Sequence, residues 1–388
     1  MKSGPSTGRS YTANVTAADM RYLDPTKTWS LAAIPAVSQK YWSDQADEFG
    51  YSLSLNGGKT GGKFRLYGSH LSITNKYDPN DMGYLRNNNL FINSVTTGYN
   101  IYEPRGKILS SLNSITIGYE MLHSPRLYTA FEIKAKSTTT FRDFSSFSLD
   151  ARINPVQNDD YYEPRNPGRY YSRPASAEFL PGFTSDTRKA VSFSAIAGAE
   201  FFNSTNNMFR YQAAIIPTLR LNNRFVFSHS LRIEYFLNDI GYVRTTGQDD
   251  IIFGERNSAT IENISTLSYI FSPSSYINLR SRHYWSKADY TGSYFYLRED
   301  GSLAPGSDIA ETNDININFF NVDLGYTWRF APGSELSIYW KNSIYQSGDT
   351  IYRSFTENLK ALLDSPAINS FSLKILYYLD YHTLKSRL

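Results

Sequence analysis

The sequence predicts an all-β protein, a transmembrane antiparallel β-barrel of about sixteen strands within a range of about 14 to 18. Three observations carry this prediction. Apolar side chains recur at every second position over long segments. No stretch approaches the 18 or so consecutive apolar residues of a transmembrane helix, which leaves transmembrane strands as the spanning option. The polar faces of the strands carry Ser, Thr, Gly, Asn and Tyr with paired charges such as Glu132 and Lys134. A soluble sandwich would present a solvated face rich in Lys and Glu.

Composition narrows the chemistry. The 388 residues include 31 Tyr, 24 Phe and 5 His, no Cys, and a net charge of +3. Charged residues make up 19 %, below the roughly 25 % of soluble domains. The lack of Cys excludes a disulfide scaffold, a cysteine nucleophile, a thiolate metal site and an iron–sulfur cluster. Abundant Phe, Tyr, Leu and Ile argue against disorder.

Taken in order, strands are expected at 9–23, 28–41, 46–57, 61–74, 87–102, 108–123, 126–140, 144–154, 187–202, 208–221, 224–237, 257–272, 275–288, 313–330, 334–345 and 369–382. Alternation is plain in several. Ile115, Ile117, Tyr119 and Met121 oppose Ser114, Thr116, Gly118 and Glu120. Phe225, Phe227, His229, Leu231, Ile233 and Tyr235 oppose Val226, Ser228, Ser230, Arg232 and Glu234. Phe371, Leu373, Ile375, Tyr377, Leu379 and Tyr381 share one face of the last strand. In 313–330 the phase breaks between Ile317 and Val322. A β-bulge near Phe319-Phe320 would restore one apolar face, and two short strands with a bend would serve equally. Aromatic residues near strand ends, as at Tyr235, Trp285, Phe330 and Tyr381, suit a belt at a bilayer interface.

Short polar connections such as Asn222-Asn223, Ser272-Pro273-Ser274 and Ala331-Pro332-Gly333 read as tight hairpin turns. Long loops are expected near 75–86, 155–186, 238–256, 289–312 and 346–368, inside a single domain spanning 1–388. With sixteen strands and both termini periplasmic, the last three loops point outward and the first two inward. Periplasmic turns are normally short. Either the count slips by one in the first half, or 75–86 and 155–186 have a special role. The start, Met1-Lys2-Ser3-Gly4-Pro5, lacks the apolar run of a signal peptide. The expectation is a cytoplasmic protein, or a partial or mature form without its export signal.

Two of the loops carry recognisable motifs. Lys76-Tyr77-Asp78-Pro79-Asn80-Asp81-Met82-Gly83-Tyr84-Leu85, followed by Arg86-Asn87-Asn88-Asn89, resembles a motif of the DUF5916 family of Bacteroidota. So do Asn158-Asp159-Asp160-Tyr161-Tyr162-Glu163-Pro164-Arg165 with Gly168-Arg169-Tyr170-Tyr171, and the ending from Asn369 to Tyr381. The resemblance covers essentially the whole chain. It implies an export signal, a β-sandwich similar to carbohydrate-binding family 9 and then an outer-membrane barrel. This chain is similar to the barrel part alone. The resemblance implies a bacterial outer-membrane location and supplies no activity.

The candidate ligand, partner or loop-network residues are Asp78, Asp81, Asp159, Asp160, Tyr162, Glu163, Arg165 and Arg169. Asp78 and Asp81 around Pro79-Asn80 have the spacing of an Asp-capped turn. A Ca²⁺ site would need six to eight oxygens, more than this stretch offers. Asp159 and Asp160 with Arg165 and Arg169 suit either an ion network holding a loop in the lumen or a solvated loop. The nearby tyrosines suit sugar stacking, a partner surface or self-packing of the loop. The histidines lack metal-ligand spacing, and Gly57-Gly58-Lys59-Thr60-Gly61-Gly62 lacks the phosphate-loop spacing and reads as a hairpin. No cofactor and no catalytic residue is expected.

Expected partners are outer-membrane lipid or lipopolysaccharide, with a protein partner as an option at the long loops and no nucleic acid. The functional expectation is a pore or transport component. The alternative is a plugged barrel anchoring a partner or another domain. A barrel hydrolase is the least favoured reading.

Overall fold

A computed structural model describes residues 10–247, 249–306, 313–352 and 354–379. Contacts divide the chain into two compact units, one of Met1–Arg142, Ser148–Phe179 and Glu299–Ser302, the other of Asp143–Phe147, Leu180–Arg298 and Leu303–Leu388. The predicted all-β class holds. No described helix is long and apolar enough to cross a membrane.

In the first unit, β1 (Tyr11–Ala17) and β2 (Met20–Leu23) both run antiparallel to β3 (Trp29–Trp42). The single strand expected at 9–23 is therefore interrupted at Ala18-Asp19. Then follow β4 (Glu48–Lys59), β5 (Phe64–Ile73), β6 (Leu90–Ile101), β7 (Ile108–Leu122), β8 (Tyr128–Phe141) and β9 (Ser146–Asn154). From β3 to β8 each strand pairs antiparallel with the next. A small hairpin of β10 (Asn158–Asp160) and β11 (Tyr171–Arg173) precedes β12 (Ser176–Thr184). β12 returns along β9, where the Asn154 side-chain amide donates to Ser176 Oγ at 2.9 Å.

The second unit holds β13 (Val191–Phe202), β14 (Phe209–Asn222), β15 (Phe225–Thr245), β16 (Ile251–Ser272), β17 (Ser275–Leu297), β18 (Leu303–Gly306), β19 (Ile315–Ala331), β20 (Ser334–Gly348), α1 (Phe355–Leu363) and β21 (Ala367–Leu376). The end of β12 leads in, with the Ser185 amide donating to the Phe193 carbonyl at 2.9 Å. β13 to β17, then β19, β20 and β21 pair successively, and β18 is a short return beside β17.

Strand periodicity sorts the side chains into rows across neighbouring strands. In the first unit Leu31, Gly57, Gly68, Val95, Ile117 and Ile133 form one such row. One residue along, on the opposite face, lie Ala32, Asn56, Ser69, Ser94, Gly118 and Glu132. The second unit repeats the division. Leu219, Phe227, Leu267, Leu279, Leu324, Trp340 and Phe371 share one row. Thr218, Ser228, Thr266, Arg280, Asp323, Lys341 and Ser370 share the row behind it.

The burial of the two faces is reversed from that of a sandwich. Val95 and Ile117 on the apolar face are 56 % and 49 % exposed, while Glu178 and Glu200 are 6 % and 7 % exposed. These buried glutamates have arginine neighbours. Arg152 lies 3.8 Å from Glu178 and 4.0 Å from Glu132, and Arg210 lies 2.6 Å from Glu200. The compact apolar clusters are local. Ile251, Ile252, Phe253 and Leu297 are buried at strand ends of the second unit. Leu362 seats α1, and Asn358 and Asn318 exchange two buried amide hydrogen bonds of 2.7 and 2.8 Å.

Several expectations change. β12 lies inside the segment 155–186 expected as loop. β15, β16 and β17 run far into 238–256 and 289–312, and β18 also falls within the latter. The segment 346–368 contains α1. No bulge occurs at Phe319-Phe320, because β19 pairs without a shift from Ala288–Ile315 to Ser275–Trp328. Ile315, Ile317 and Phe319 thus join the charged face. The parts of the expected first and last strands at residue 9 and at 380–382 lie outside the described residues, as does Met1–Pro5.

Counting β12 as a strand changes how the connections alternate along the chain. Along the chain, connections 24–28, 60–63, 102–107, 142–145, 185–190, 223–224, 273–274 and 332–333 are all short. The four longest, 74–89, 155–175, 298–314 and 349–366, all belong to the alternate set.

Candidate functional site

Two long connections of the first unit fold back onto its polar face. The first begins where β5 ends. Ser38 and Lys40 point from β3 towards it. The Asp78 amide donates to Ser38 Oγ at 3.0 Å, and Lys40 Nζ lies 2.5 Å from Asp78 Oδ2. Asp78 also accepts from the Asn80 backbone and side-chain amides at 3.0 and 2.7 Å, which closes the turn expected from Pro79-Asn80. Together the Lys40 ammonium and these amides hold the Asp78 carboxyl below the usual carboxylate range, despite partial burial. Asp81 accepts from the Tyr11 hydroxyl at 2.9 Å and stands 4.0 Å from Lys40.

Gly50 lets this segment lie flat. A Cβ there would fall 2.2 Å from both the amide nitrogen and the Cα of Tyr77. Only a residue without a side chain admits the backbone of one segment so close to a strand.

The second segment is the β10–β11 hairpin. It leans on β8, where the Tyr128 hydroxyl donates to the Gln157 carbonyl at 2.9 Å. Asp159 faces Ser172 across the hairpin and accepts from its hydroxyl at 3.0 Å, and burial pushes the Asp159 carboxyl up. Asp160 accepts from the amides of Tyr162 and Glu163 at 2.9 and 3.0 Å. Arg165, at a φ of 55°, donates its amide to the Tyr162 carbonyl at 3.2 Å. The Arg169 amide closes a second turn on Asn166 at 3.2 Å.

The two segments touch. The Tyr162 hydroxyl donates to the Asn88 carbonyl at 2.7 Å. Burial, then the Asp160 and Glu120 carboxylates, push the Tyr162 hydroxyl up to about 12. The tip 299–302 also reaches the hairpin, where the Gly301 carbonyl accepts from the Ser172 amide at 3.0 Å. Gly301 has a φ of 77°, and a Cβ there would meet the Tyr170 ring at 2.4 Å.

All eight candidate residues thus lie in one cap over the polar face. Sequence reasoning missed Ser38, Lys40, Gly50, Asn88, Tyr128 and Gly301. Gly50 had a signal, since a glycine between Phe49 and Tyr51 within a strand marks a close backbone approach. The others look like ordinary strand or loop residues. Among the described residues no group of three or more His, Asp and Glu side chains could hold a metal ion. What this arrangement can do is cover a polar surface, with Asp78 paired to Lys40 and with Asp159 and Asp160 held by hydroxyl and amide donors.

The family of a domain of unknown function, DUF5916, matches residues 5–388. No curated protein matches the chain.

Proposed function

We propose that this chain, which belongs to the DUF5916 family, is a β-barrel of the bacterial outer membrane serving as a pore or transport component narrowed by its loop cap. The barrel would have about 16 to 18 strands. Its partner on the apolar side is outer-membrane lipid or lipopolysaccharide. The reversed polarity of the strands carries this reading. Apolar residues such as Val95, Ile117 and Ile338 remain exposed on one face, while Glu178 and Glu200 are buried beside arginines on the other. Water on the apolar side would be costly, at about 25 cal/mol for each Å² of apolar surface. Lipid removes that cost. Segregation of the four long connections into one alternate set adds support, since barrels of this kind have short turns on one side.

The cap favours a second reading, a plugged barrel that anchors a partner or another domain. Refolded protein that shows heat-modifiable migration, placed in a planar bilayer, separates the two. Steady current on the nanosiemens scale supports the pore. Inserted protein without current supports the plugged anchor. Folded protein that stays water-soluble without lipid or detergent contradicts both.

A further inference from the structure

The charged face of the second unit carries a cleft of 240 Å³ across β17, β19 and β20. Two adjacent rungs of the sheet form it. One rung is Arg280, Asp323 and Lys341, the other Arg282, Asn321 and Ser343. Successive side chains on one face of a strand stand two residues apart, so the two guanidinium groups rise side by side. Lys341 Nζ is 3.7 Å from Asp323, and Arg282 is 2.6 Å from Glu262. Arg280 has no ion pair among the described residues. Three cations therefore meet one carboxylate within the rungs and one beside them, with amide and hydroxyl donors from Asn321 and Ser343.

A wider cleft of 440 Å³ adjoins this one and shares Arg280, Asp323 and Lys341. Tyr276 and Tyr339 line it. Its floor is Gly325, where a Cβ would come within 2.9 Å of the Tyr339 ring. The missing side chain lets that ring lie against the sheet and present an aromatic face.

We infer that the two clefts form one binding station for a small organic anion whose carboxylate or phosphate meets Arg280 and Lys341 and whose ring rests against Tyr339. An arginine fork matches the two oxygens of an oxyanion. A tyrosine face suits the apolar side of a ring. Asp323 repels a second negative charge, so the station takes monoanions better than dianions. The inference rests on the reading of this face as the water-facing lining, and it gives that lining a solute class.

Glucuronate is the probe, with glucose as its uncharged counterpart and inorganic phosphate as a body-less anion. Calorimetric titration of the folded protein in detergent measures binding without requiring conduction. Glucuronate should bind more tightly than glucose or phosphate. Arg280→Gln should weaken it about tenfold or more, the loss of a charge-assisted hydrogen bond. Asp323→Asn should tighten it. Each variant must show the wild-type heat-modifiable migration. Equal binding of glucose and glucuronate, no binding at all, or an unchanged affinity in Arg280→Gln overturns the inference. Binding by a protein that conducts no current would remove the pore reading and leave the station standing.

Discussion

The Tyr162 hydroxyl and the Asn88 carbonyl, 74 positions apart in sequence, are joined by a 2.7 Å hydrogen bond. This bond ties the two motif-bearing segments into one cap. Each segment also holds the strands independently, through Lys40 and Ser38 in one case and Tyr128 in the other. The cap can therefore be loosened in parts, and the predictions follow those parts.

Tyr162→Phe keeps the ring and removes the donor. The loss is about 1 kcal/mol, the net worth of one hydrogen bond. The folded-state ionisation of Tyr162 is raised to about 12, whereas an unfolded-chain tyrosine ionises near 10. Its contribution is full below about pH 10 and is lost as pH rises towards 12. Proteolysis of 155–175 against pH should show that loss in wild type and a flatter profile over the same window in the variant.

Asp78→Asn removes the partner of Lys40. The carboxyl is lowered chiefly by its hydrogen bond to Lys40. Its stabilisation is present above the ordinary carboxylate range and disappears as pH falls through the depressed folded value. At neutral pH the variant should be cleaved faster within 75–86. At acid pH, wild type should approach the variant. The cost is about 1 kcal/mol, limited by the partial exposure of the pair.

Gly50→Ala drives a methyl group into the Tyr77 backbone, which cannot turn aside as a flexible side chain would. The expected cost is about 1–3 kcal/mol. Conductance should rise if the displaced segment had narrowed the passage. Gly348→Ala, where a Cβ meets nothing within 4 Å, is the neutral control.

Asn358→Ala leaves the Asn318 amide buried without its partner. An orphaned buried polar group costs about 1–3 kcal/mol. Hydrogen exchange across Phe355–Leu363 should quicken, while β13 and β14 exchange as before.

Much of this architecture is legible in period-two patterning. Every strand expected from alternation has a counterpart, because one face of each is apolar and a one-residue slip would reverse it. β12 is hard to read from sequence because Pro181 and Gly182 are both poor strand residues, although Phe179, Pro181 and Phe183 alternate. α1 announced itself only by Ser354 and Glu357, where Ser354 Oγ accepts from the Glu357 amide at 3.2 Å. The missing bulge shows the limit of patterning. Ile317 and Phe319 sit on a charged face, and local alternation cannot say so. The cap residues were found because unusual loops carry unusual composition. Their anchors Lys40 and Tyr128 were not, because only folding brings them beneath those loops.

The central claim is that the exposed apolar face meets lipid. The chain has no Cys, so a single introduced cysteine can carry one fluorophore without background. We would label Ile117→Cys and Thr116→Cys, then Ile338→Cys and Tyr339→Cys, in protein inserted into vesicles. Lipid-attached quenchers should reach positions 117 and 338, and water-soluble quenchers positions 116 and 339. The opposite assignment, or equal quenching of both neighbours from the aqueous phase, would contradict the account.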